Sequence, residues 1–412
     1  MKVILYFYLQ NKSKTNQDKY KTNMKHSEIV ILGAGVGGLT TAIALQQKGF
    51  ENICIYERRK TASTIGAGLV LWANANKILD KLNLLTEVEK VGGKLKEMQR
   101  WNESEEFLGA ISINDINTII GSTSYSISRI DFQKILLQKA EELNIPIYYN
   151  HKASLLSDQG NRTSITFENS IKINADIIIG ADGRMNSVAR QYVNGNNTPI
   201  YQNFVNWIGI VESDKPIFLE NNVLDFWGYG ERFGIVSINK YKGYWAGGKS
   251  LPLNSSHKNR NSKTQLLKIF GSWSPKIREI IQLTTEENIK YIEVFDHNPI
   301  PKWHKNNVCL IGDSAHSALP TSGQGACQAI EDAWHFASIL EKSETTEGAF
   351  SKFQKIRFEK TTIITMAGRD LAKSLFNEDL IFCEQRNENA KTTNYKTASQ
   401  NIAKLWSKDL PK

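Results

Sequence analysis

The sequence predicts an α/β fold in which a parallel-sheet domain is interrupted by an antiparallel sheet and followed by C-terminal helices. A complete β-α-β pattern occupies residues 28–57, and a second buried strand with a glycine-flanked helix start follows at residues 307–340. Between them, residues 199–297 consist of alternating, aromatic-rich runs separated by glycine turns, a pattern typical of antiparallel strands. The length of 412 residues is enough for two or three domains, at about 100–200 residues each.

The composition is that of a globular protein, and the positive charge does not indicate a nucleic acid as the partner. Hydrophobic residues make up 41% and charged residues 23% of the chain. More than half of the net charge of +9 lies in residues 1–25, which we interpret as a disordered leader or an extension upstream of a start at Met24. The longest apolar run, Val3–Leu9, is far shorter than the roughly 20 residues of a membrane-spanning helix, which excludes an integral membrane protein.

The cysteines give no sign of covalent or metal cross-linking. Cys54, Cys309, Cys327 and Cys383 are widely spaced and include no Cys-x-x-Cys pair. This pattern predicts neither a disulfide framework nor a metal site, and it favours a reduced, cytoplasmic setting.

The first motif is a glycine-rich turn between a strand and a helix. Residues 28–32 form a β-branched run that leads directly into Gly33, Gly35 and Gly38. In such a turn the first glycine allows the tight bend, the second lets the backbone approach a pyrophosphate, and the third lets helix and strand pack closely. Glu57 ends the next strand, where a carboxylate can accept hydrogen bonds from a ribose diol. This arrangement predicts a dinucleotide-binding fold.

Three further features are modest signals by themselves. Arg129 opens a helical pattern, where a cation is unfavourable and therefore hints at an anionic partner. The turn Asp182-Gly183 follows a buried strand in the middle of the chain. Gly312-Asp313 follows another buried strand, and a glycine-flanked helix start begins soon after it at residues 323–326. A helix start of this kind presents unpaired N–H groups and a positive dipole end to a negatively charged partner.

Taken in this order, these segments resemble the group A flavin-dependent monooxygenases, the para-hydroxybenzoate hydroxylase family, over residues 26–345. Within the family, residues 66–74, 228–245 and 323–333 are similar to the branch that contains salicylate-type, 3-hydroxybenzoate and urate hydroxylases and zeaxanthin epoxidases. The resemblance implies a Rossmann-like FAD-binding domain, FAD as the cofactor and NADH or NADPH as a transient co-substrate. It implies an enzyme that uses dioxygen to hydroxylate or epoxidise an aromatic or apolar small molecule.

The resemblance also divides the chain into parts. After the leader at residues 1–25, which the charge distribution indicates, the parts are an FAD-binding domain at 26–198 with a substrate-side segment near 99–125, a substrate-binding sheet at 199–297, the last part of the FAD-binding domain at 298–345, and C-terminal helices at 346–412. The helices themselves are predicted at residues 349–376 and 395–410, joined by a polar linker over residues 377–394.

The resemblance implies that FAD is held by residues from all of these motifs. The glycine turn would hold the pyrophosphate, the Gly-Asp pair the ribityl chain, and the late helix start the isoalloxazine ring. The complete set is Gly33, Ala34, Gly35, Gly37, Gly38, Glu57, Arg58, Arg129, Ala153, Asp182, Gly183, Gly312, Asp313, Pro320, Gly323, Gln324, Gly325 and Ala326.

The aromatic residues of the central sheet are the candidates for an apolar substrate pocket, although period-two alternation turns about half of them to the opposite face. They are Trp207, Phe226, Trp227, Phe233 and Trp245. Ile208 stands where many relatives in this branch carry an arginine, which favours a weakly charged substrate. His297 is a candidate general base, because its ordinary pKa lies near neutrality, but a structural role at the domain junction fits it better.

Other functions stay open at this point. A flavin-dependent reductase, or a monooxygenase that inactivates an antibiotic of the tetracycline type, would use the same cofactor site. A non-enzymatic module that binds nucleic acid or anionic lipid is supported only by the basic residues 1–25.

Overall fold

The computed structural model describes residues 24–61, 67–255 and 262–411. Nearly all of the predicted leader, and Gly66 at the start of the stretch 66–74, therefore lie outside the described residues. Within them the structure has the α/β class that the sequence predicts, with several sheets and a helical C-terminal region.

The bounds of the elements are as follows. The strands are β1 (Ile29–Leu32), β2 (Ile53–Tyr56), β3 (Gly68–Leu71), β4 (Gly93–Lys94), β5 (Glu97–Asn102), β6 (Phe107–Ser112), β7 (Tyr125–Ser128), β8 (Ile147–Tyr148), β9 (Ala153–Asp158), β10 (Thr163–Phe167), β11 (Lys172–Ala175), β12 (Ile177–Gly180), β13 (Ile200–Glu212), β14 (Val223–Trp227), β15 (Glu231–Ser237), β16 (Lys242–Ser250), β17 (Lys290–Asp296), β18 (His304–Lys305) and β19 (Val308–Leu310). The α-helices are α1 (Val36–Gln47), α2 (Ala73–Lys81), α3 (Leu85–Val91), α4 (Ile113–Ile120), α5 (Arg129–Glu142), α6 (Val188–Asn194), α7 (Ser262–Phe270), α8 (Pro275–Leu283), α9 (Asp313–His316), α10 (Gly325–Lys342), α11 (Thr346–Leu375), α12 (Leu380–Lys391) and α13 (Tyr395–Ser407).

The first sheet brings the sequence motifs to one edge. Its strand order is β18-β19-β12-β1-β2-β8, and every neighbouring pair is parallel except β18 and β19. The glycine turn follows β1, Glu57 follows β2, the Asp-Gly turn follows β12 and the Gly-Asp pair follows β19. These four strands are adjacent and parallel, so the segments that follow them meet at the carboxyl edge, where open α/β sheets bind their ligands.

The second large sheet combines distant parts of the chain. Its order is β17-β13-β16-β15-β14-β5-β6, with β14 and β5 parallel and the other neighbours antiparallel. Residues 97–112 therefore pair with the strands of the segment 200–296. A three-stranded sheet, β3-β7-β4, lies beside it, and Gly68 of β3 contacts the ring of Tyr244 on β16.

One face of the large sheet is a closed apolar core, which corrects the predicted substrate pocket. Four of the five candidate aromatics pack there with side chains of α7 and α8, and Trp207, Phe233 and Trp245 have 0% exposure. The prediction is wrong for these four residues because period-two alternation places them together on the face that the helices cover. They are Trp207, Phe226, Phe233 and Trp245. Trp227 belongs to a different cluster, with Leu375 and Ala390 of the C-terminal helices.

The C-terminal region is helical throughout most of its length. The two predicted helices correspond to α11 and α13, but the predicted polar linker is wrong, because residues 380–391 form α12. The buried residues of α12 are Cys383, Arg386, Asn387 and Ala390, a set too polar to give a hydrophobic period. No helix within the described ranges is long and apolar enough to cross a membrane.

Replacing Trp207 by alanine tests the corrected position of the aromatic residues. We expect Trp207→Ala to lower the free energy of unfolding by about 3–5 kcal/mol, as for other fully buried aromatic side chains, and to leave the bound flavin content unchanged. Denaturant unfolding and visible absorbance measure the two quantities. Trp334→Ala is the control, because Trp334 is only half-buried and its loss costs less. A loss of substrate affinity at unchanged stability would restore Trp207 to the pocket.

Candidate cofactor and substrate site

The glycine turn between β1 and α1 is built to leave space in front of a helix N-terminus. A Cβ atom on Gly38 would lie 1.9 Å from the carbonyl oxygen of Gly33, so the turn itself requires glycine there. Gly33 has a φ of +109° and packs against the backbone of Ala181. Among the residues that the structure describes, a Cβ atom on Gly35, in contrast, would meet no atom within 4 Å. No described side chain caps α1, so the N–H groups of its first turn are available to an anion in that space.

Glu57 is fixed beside this turn. Its carboxylate is buried, at 6% exposure, and accepts hydrogen bonds from the backbone N–H groups of Ala34 at 2.8 Å and Arg59 at 2.9 Å. Each carboxylate oxygen can accept a further hydrogen bond, which is the capacity that recognition of a ribose diol requires. Arg58, the next residue, is exposed.

Two further arginines and one carboxylate lie near Arg129 at the same edge of the sheet. Arg129 begins α5 and is reached by solvent, although the surrounding protein lowers its pKa by desolvation. Asp313 raises the pKa of Arg129, whereas the positive charges of Arg59 and Arg184 lower it. Arg184 is also 3.6 Å from Asp313. Three cations and one anion leave a local positive charge, and this charge suits a pyrophosphate. Sequence reasoning found Arg129 but missed Arg59 and Arg184.

The Asp-Gly turn is held by its own aspartate. The Asp182 carboxylate accepts hydrogen bonds from the Ser187 hydroxyl at 2.5 Å and from the Ala189 backbone N–H at 3.2 Å. Burial raises the pKa of Asp182, and these hydrogen bonds oppose the shift. Gly183 follows with a φ of +83°, in open space. Asp182 therefore fixes the turn that presents Gly183 and Arg184.

The last two motifs meet at the start of α10. The backbone N–H of Gly312 donates to the buried Asp332 carboxylate at 2.8 Å, which holds the Gly-Asp pair against α10. A Cβ atom on Gly325, the first residue of α10, would lie 3.9 Å from the Asp313 carboxylate. Within the described part of the chain no side chain caps α10, so its first-turn N–H groups are also free to interact with a ligand.

The remaining predicted cofactor residues border the same region or lie on the neighbouring small sheet. Ala153 is the first residue of β9, in the sheet β11-β10-β9. Pro320 opens a single 3₁₀ turn and is exposed, as is Gly323 at its end. The side chain of Gln324 is buried and hydrogen-bonds to Asn74 of α2 at 3.0 Å.

The inner face of the large sheet, opposite the apolar core, carries polar side chains that sequence reasoning missed. Alternation places Asp225, Arg232 and Tyr244 there, on three neighbouring strands. The guanidinium Nε of Arg232 donates to Asp225 at 2.6 Å, and the indole Nε1 of Trp227 donates to the other Asp225 oxygen at 2.8 Å. Within the described residues the terminal nitrogens of Arg232 have no hydrogen-bond acceptor. A cation, Arg232, therefore lies on the same face of the sheet as Ile208.

The inner face is adjacent to the start of α10. The positive charge of Arg232 lowers the pKa of Tyr244, and Cys327, two residues after Gly325, raises it, so both groups are near the phenol. Burial is the larger effect and raises the pKa of Tyr244 well above its usual value, which keeps the hydroxyl protonated as a hydrogen-bond donor. The polar side chains of the inner face and the N-terminus of α10 therefore lie next to the same region.

His297 lies away from these groups. It is buried, at 4% exposure, and its Nε2 lies 2.7 Å from the carbonyl oxygen of Arg184, to which it can only donate. Burial lowers the pKa of His297, so the imidazole is neutral at pH 7. This geometry favours the structural interpretation, in which His297 supports the Asp-Gly turn.

Comparison with known proteins gives concordant matches over most of the chain. The family model described as FAD binding domain matches residues 26–354. An FAD-dependent urate hydroxylase from Mycolicibacterium vanbaalenii is 28% identical over 351 residues, which cover 83% of this chain and 87% of that protein. An aurachin C monooxygenase/isomerase from Stigmatella aurantiaca is 27% identical over 81% of this chain and 85% of its own length. The crystal structure of Klebsiella pneumoniae HpxO with FAD and uric acid has the same fold, with a TM-score of 0.85, 23% identity and coverage of 93% and 97%.

Gly35→Ala tests whether the glycine turn receives the pyrophosphate of FAD. The new methyl group meets no atom of the described residues, so we expect the stability of the cofactor-free protein to change by no more than about 0.5 kcal/mol. The methyl group would occupy the space in front of α1, so we expect the purified protein to lose bound flavin. Visible absorbance and thermal unfolding measure these effects.

Gly38→Ala is the matched control for this variant. Its Cβ atom would collide with the backbone of Gly33, and we therefore expect it to lose both the flavin and stability. If Gly35→Ala kept the flavin content of the unaltered protein, the pyrophosphate would have to bind elsewhere.

Proposed function

This chain belongs to the FAD binding domain family and is a group A flavin monooxygenase, and we propose that it uses NADH or NADPH and dioxygen to oxygenate a polar aromatic small molecule. The observation that carries the proposal is the proximity of two features. The uncapped start of α10 lies beside Asp313, and the inner face with Arg232 and Tyr244 adjoins it. The start of α10 suits a flavin ring, and the inner face suits a substrate in front of that ring.

The residues at the carboxyl edge fit FAD. The open space at Gly35, the surplus positive charge near Arg129 and the fixed Glu57 carboxylate match a pyrophosphate and a ribose. Asp313 would hold the ribityl chain, and residues 323–326 would contact the isoalloxazine ring. FAD, when bound, supplies the transfer of electrons from the nicotinamide to dioxygen.

The helix start of α10 would contribute electrostatically. Free N–H groups and the positive end of the helix dipole stabilise negative charge, and reduced flavin carries negative charge on its pyrimidine edge. Because Asp332 holds Gly312 and Asn74 holds Gln324, the donors are fixed before the charge develops. Donors that need no rearrangement are the effective ones in catalysis.

The inner face would bind and orient the acceptor. Arg232 directs donors toward a carboxylate, a phenolate or a carbonyl oxygen, and Tyr244 adds a neutral donor. This polarity argues for a planar ring with an oxygen substituent, more polar than the five aromatic side chains suggest. Two relatives, a urate hydroxylase and an aurachin C monooxygenase/isomerase, have names compatible with such a ring.

An acceptor screen tests the proposed reaction. We expect phenols, purines or quinolones to stimulate NADH or NADPH oxidation, with consumption of dioxygen and a product that carries one labelled atom from ¹⁸O₂. Mass spectrometry of the product and an oxygen electrode make the measurement. Reduction of the acceptor without uptake of label would show a flavin-dependent reductase instead.

Variants of Arg232 test the binding mode of the acceptor. Loss of a hydrogen bond to a charged group costs about 1.5–3 kcal/mol, so we expect Arg232→Lys to raise KM by roughly 10–100-fold for anionic acceptors. The double variant Asp225→Asn, Arg232→Met removes the partly buried ion pair as a whole and should raise KM at least as much. Lys240→Met, at an exposed turn of the same domain, should leave KM unchanged. Equal KM values in all variants would contradict a role of Arg232 in binding.

A further inference from the structure

Four charged side chains are completely buried between α10 and α11. They are Glu331, Asp332, Arg357 and Lys360, each with 0% exposure, and together we call them the buried ion network. Arg357 donates to Glu331 at 2.6 Å and to Asp332 at 2.7 Å, and Lys360 donates to Glu331 at 2.8 Å. The two positive and two negative charges balance. Although burial raises the pKa of Asp332, His316 and Arg357 lower it well below its usual value, so the carboxylate is ionised.

On one side, the network supports the segments assigned to the flavin ring. Asp332 accepts the hydrogen bond of the Gly312 backbone N–H at 2.8 Å. The side-chain amide of Asn74 donates both to Glu331 at 2.7 Å and to Gln324 at 3.0 Å. Both the Gly-Asp pair and the residue before α10 are therefore connected to buried charges.

On the other side, the network holds the end of α13. The Lys360 ammonium donates to the backbone carbonyl oxygens of Trp406 at 2.6 Å and Lys408 at 2.9 Å. The Trp406 ring packs on the Trp72 ring, with centroids 4.9 Å apart. The indole N–H of Trp72 donates to the carbonyl oxygen of Gly323 at 2.8 Å. Two separate routes therefore connect the C-terminal segment with the start of α10. One passes through Lys360, Glu331 and Asn74, and the other passes through Trp406 and Trp72.

A buried ion network of this kind is a costly way to join two helices. Replacement of buried ion pairs by apolar residues of similar volume is often neutral or stabilising, so stability alone does not account for it. Charges with fixed partners do, however, restrict the relative position of the segments they join. The hydrogen bonds of Asp332 and Trp72 hold residues 312–313 and 323–325. These are the segments whose position matters most for the proposed chemistry.

We propose that Trp72, Lys360 and Trp406 are positioning residues, through which the C-terminal helix α13 sets the start of α10 against the flavin ring. The inference rests on the proposed function. When α13 is loosely docked, the N–H groups of α10 are less well aligned with the negative edge of the reduced ring. The midpoint potential of the bound flavin would then fall, and a larger share of the two electrons of reduced flavin would, with two protons, convert dioxygen to hydrogen peroxide instead of placing one oxygen atom in the acceptor and the other in water.

Two variants that leave every buried charge paired test this inference. Trp72→Phe keeps a ring but loses the hydrogen bond to Gly323, and Trp406→Leu loses the ring contact but keeps the carbonyl that Lys360 binds. We expect both to retain FAD, with a lower midpoint potential by spectroelectrochemistry. The ratio of product to dioxygen should fall by about tenfold, since small misplacements near reacting atoms cost up to 10²-fold.

The controls separate positioning from stability. Lys404→Met lies on the exposed side of α13 and should change neither quantity. Lys360→Arg keeps a positive charge beside Glu331, whereas Lys360→Met removes it. We therefore expect the midpoint potential of Lys360→Arg to lie closer to that of the unaltered protein. If Trp72→Phe and Trp406→Leu lowered only the melting temperature, the positioning role would be refuted. The potential needs no acceptor, so failure of the acceptor screen would refute the proposed function without affecting this measurement.

Discussion

The hydrogen bond from the Gly312 backbone N–H to the buried carboxylate of Asp332 is the constraint on which the site depends. It joins the end of β19 to α10, and so fixes the distance between Asp313 and the uncapped start of that helix. The carboxylate stays charged because Arg357 and His316 surround it. A single buried aspartate therefore organises two motifs that lie a dozen residues apart in the sequence.

Much of the cofactor region could be predicted because its signals are local. Gly33, Gly35, Gly38 and Glu57 lie within one β-α-β unit, where the turn, the helix start and the next strand end follow directly from spacing. The parallel pairing of β2, β1, β12 and β19 then brings the other motifs to the same edge without further information. Arg59 and Arg184 were not predicted, since their proximity to Arg129 depends on how separate turns fold back toward each other.

The substrate side could not be predicted to the same extent, and the reason is geometric. Period-two alternation says that Trp207 and Ile208 face opposite ways, but it does not say which way is inward. That choice depends on α7 and α8, which cover the aromatic face, and on the pairing of β14 with β5 from much earlier in the chain. Asp225 and Arg232 become a pair only through the register of β14 with β15. The helix α12 was missed for a related reason, because Arg386 and Asn387 occupy its buried side.

The pair of indole rings formed by Trp72 and Trp406 gives the protein a built-in optical reporter. Tryptophan emits in the wavelength range in which flavins absorb, and Trp72 is hydrogen-bonded to Gly323, in a segment assigned to the flavin ring. Its fluorescence should therefore be quenched by resonance energy transfer as the cofactor loads. Because the chain has nine tryptophans, the difference in emission between the unaltered protein and Trp72→Phe would isolate this contribution and follow cofactor loading without any added dye.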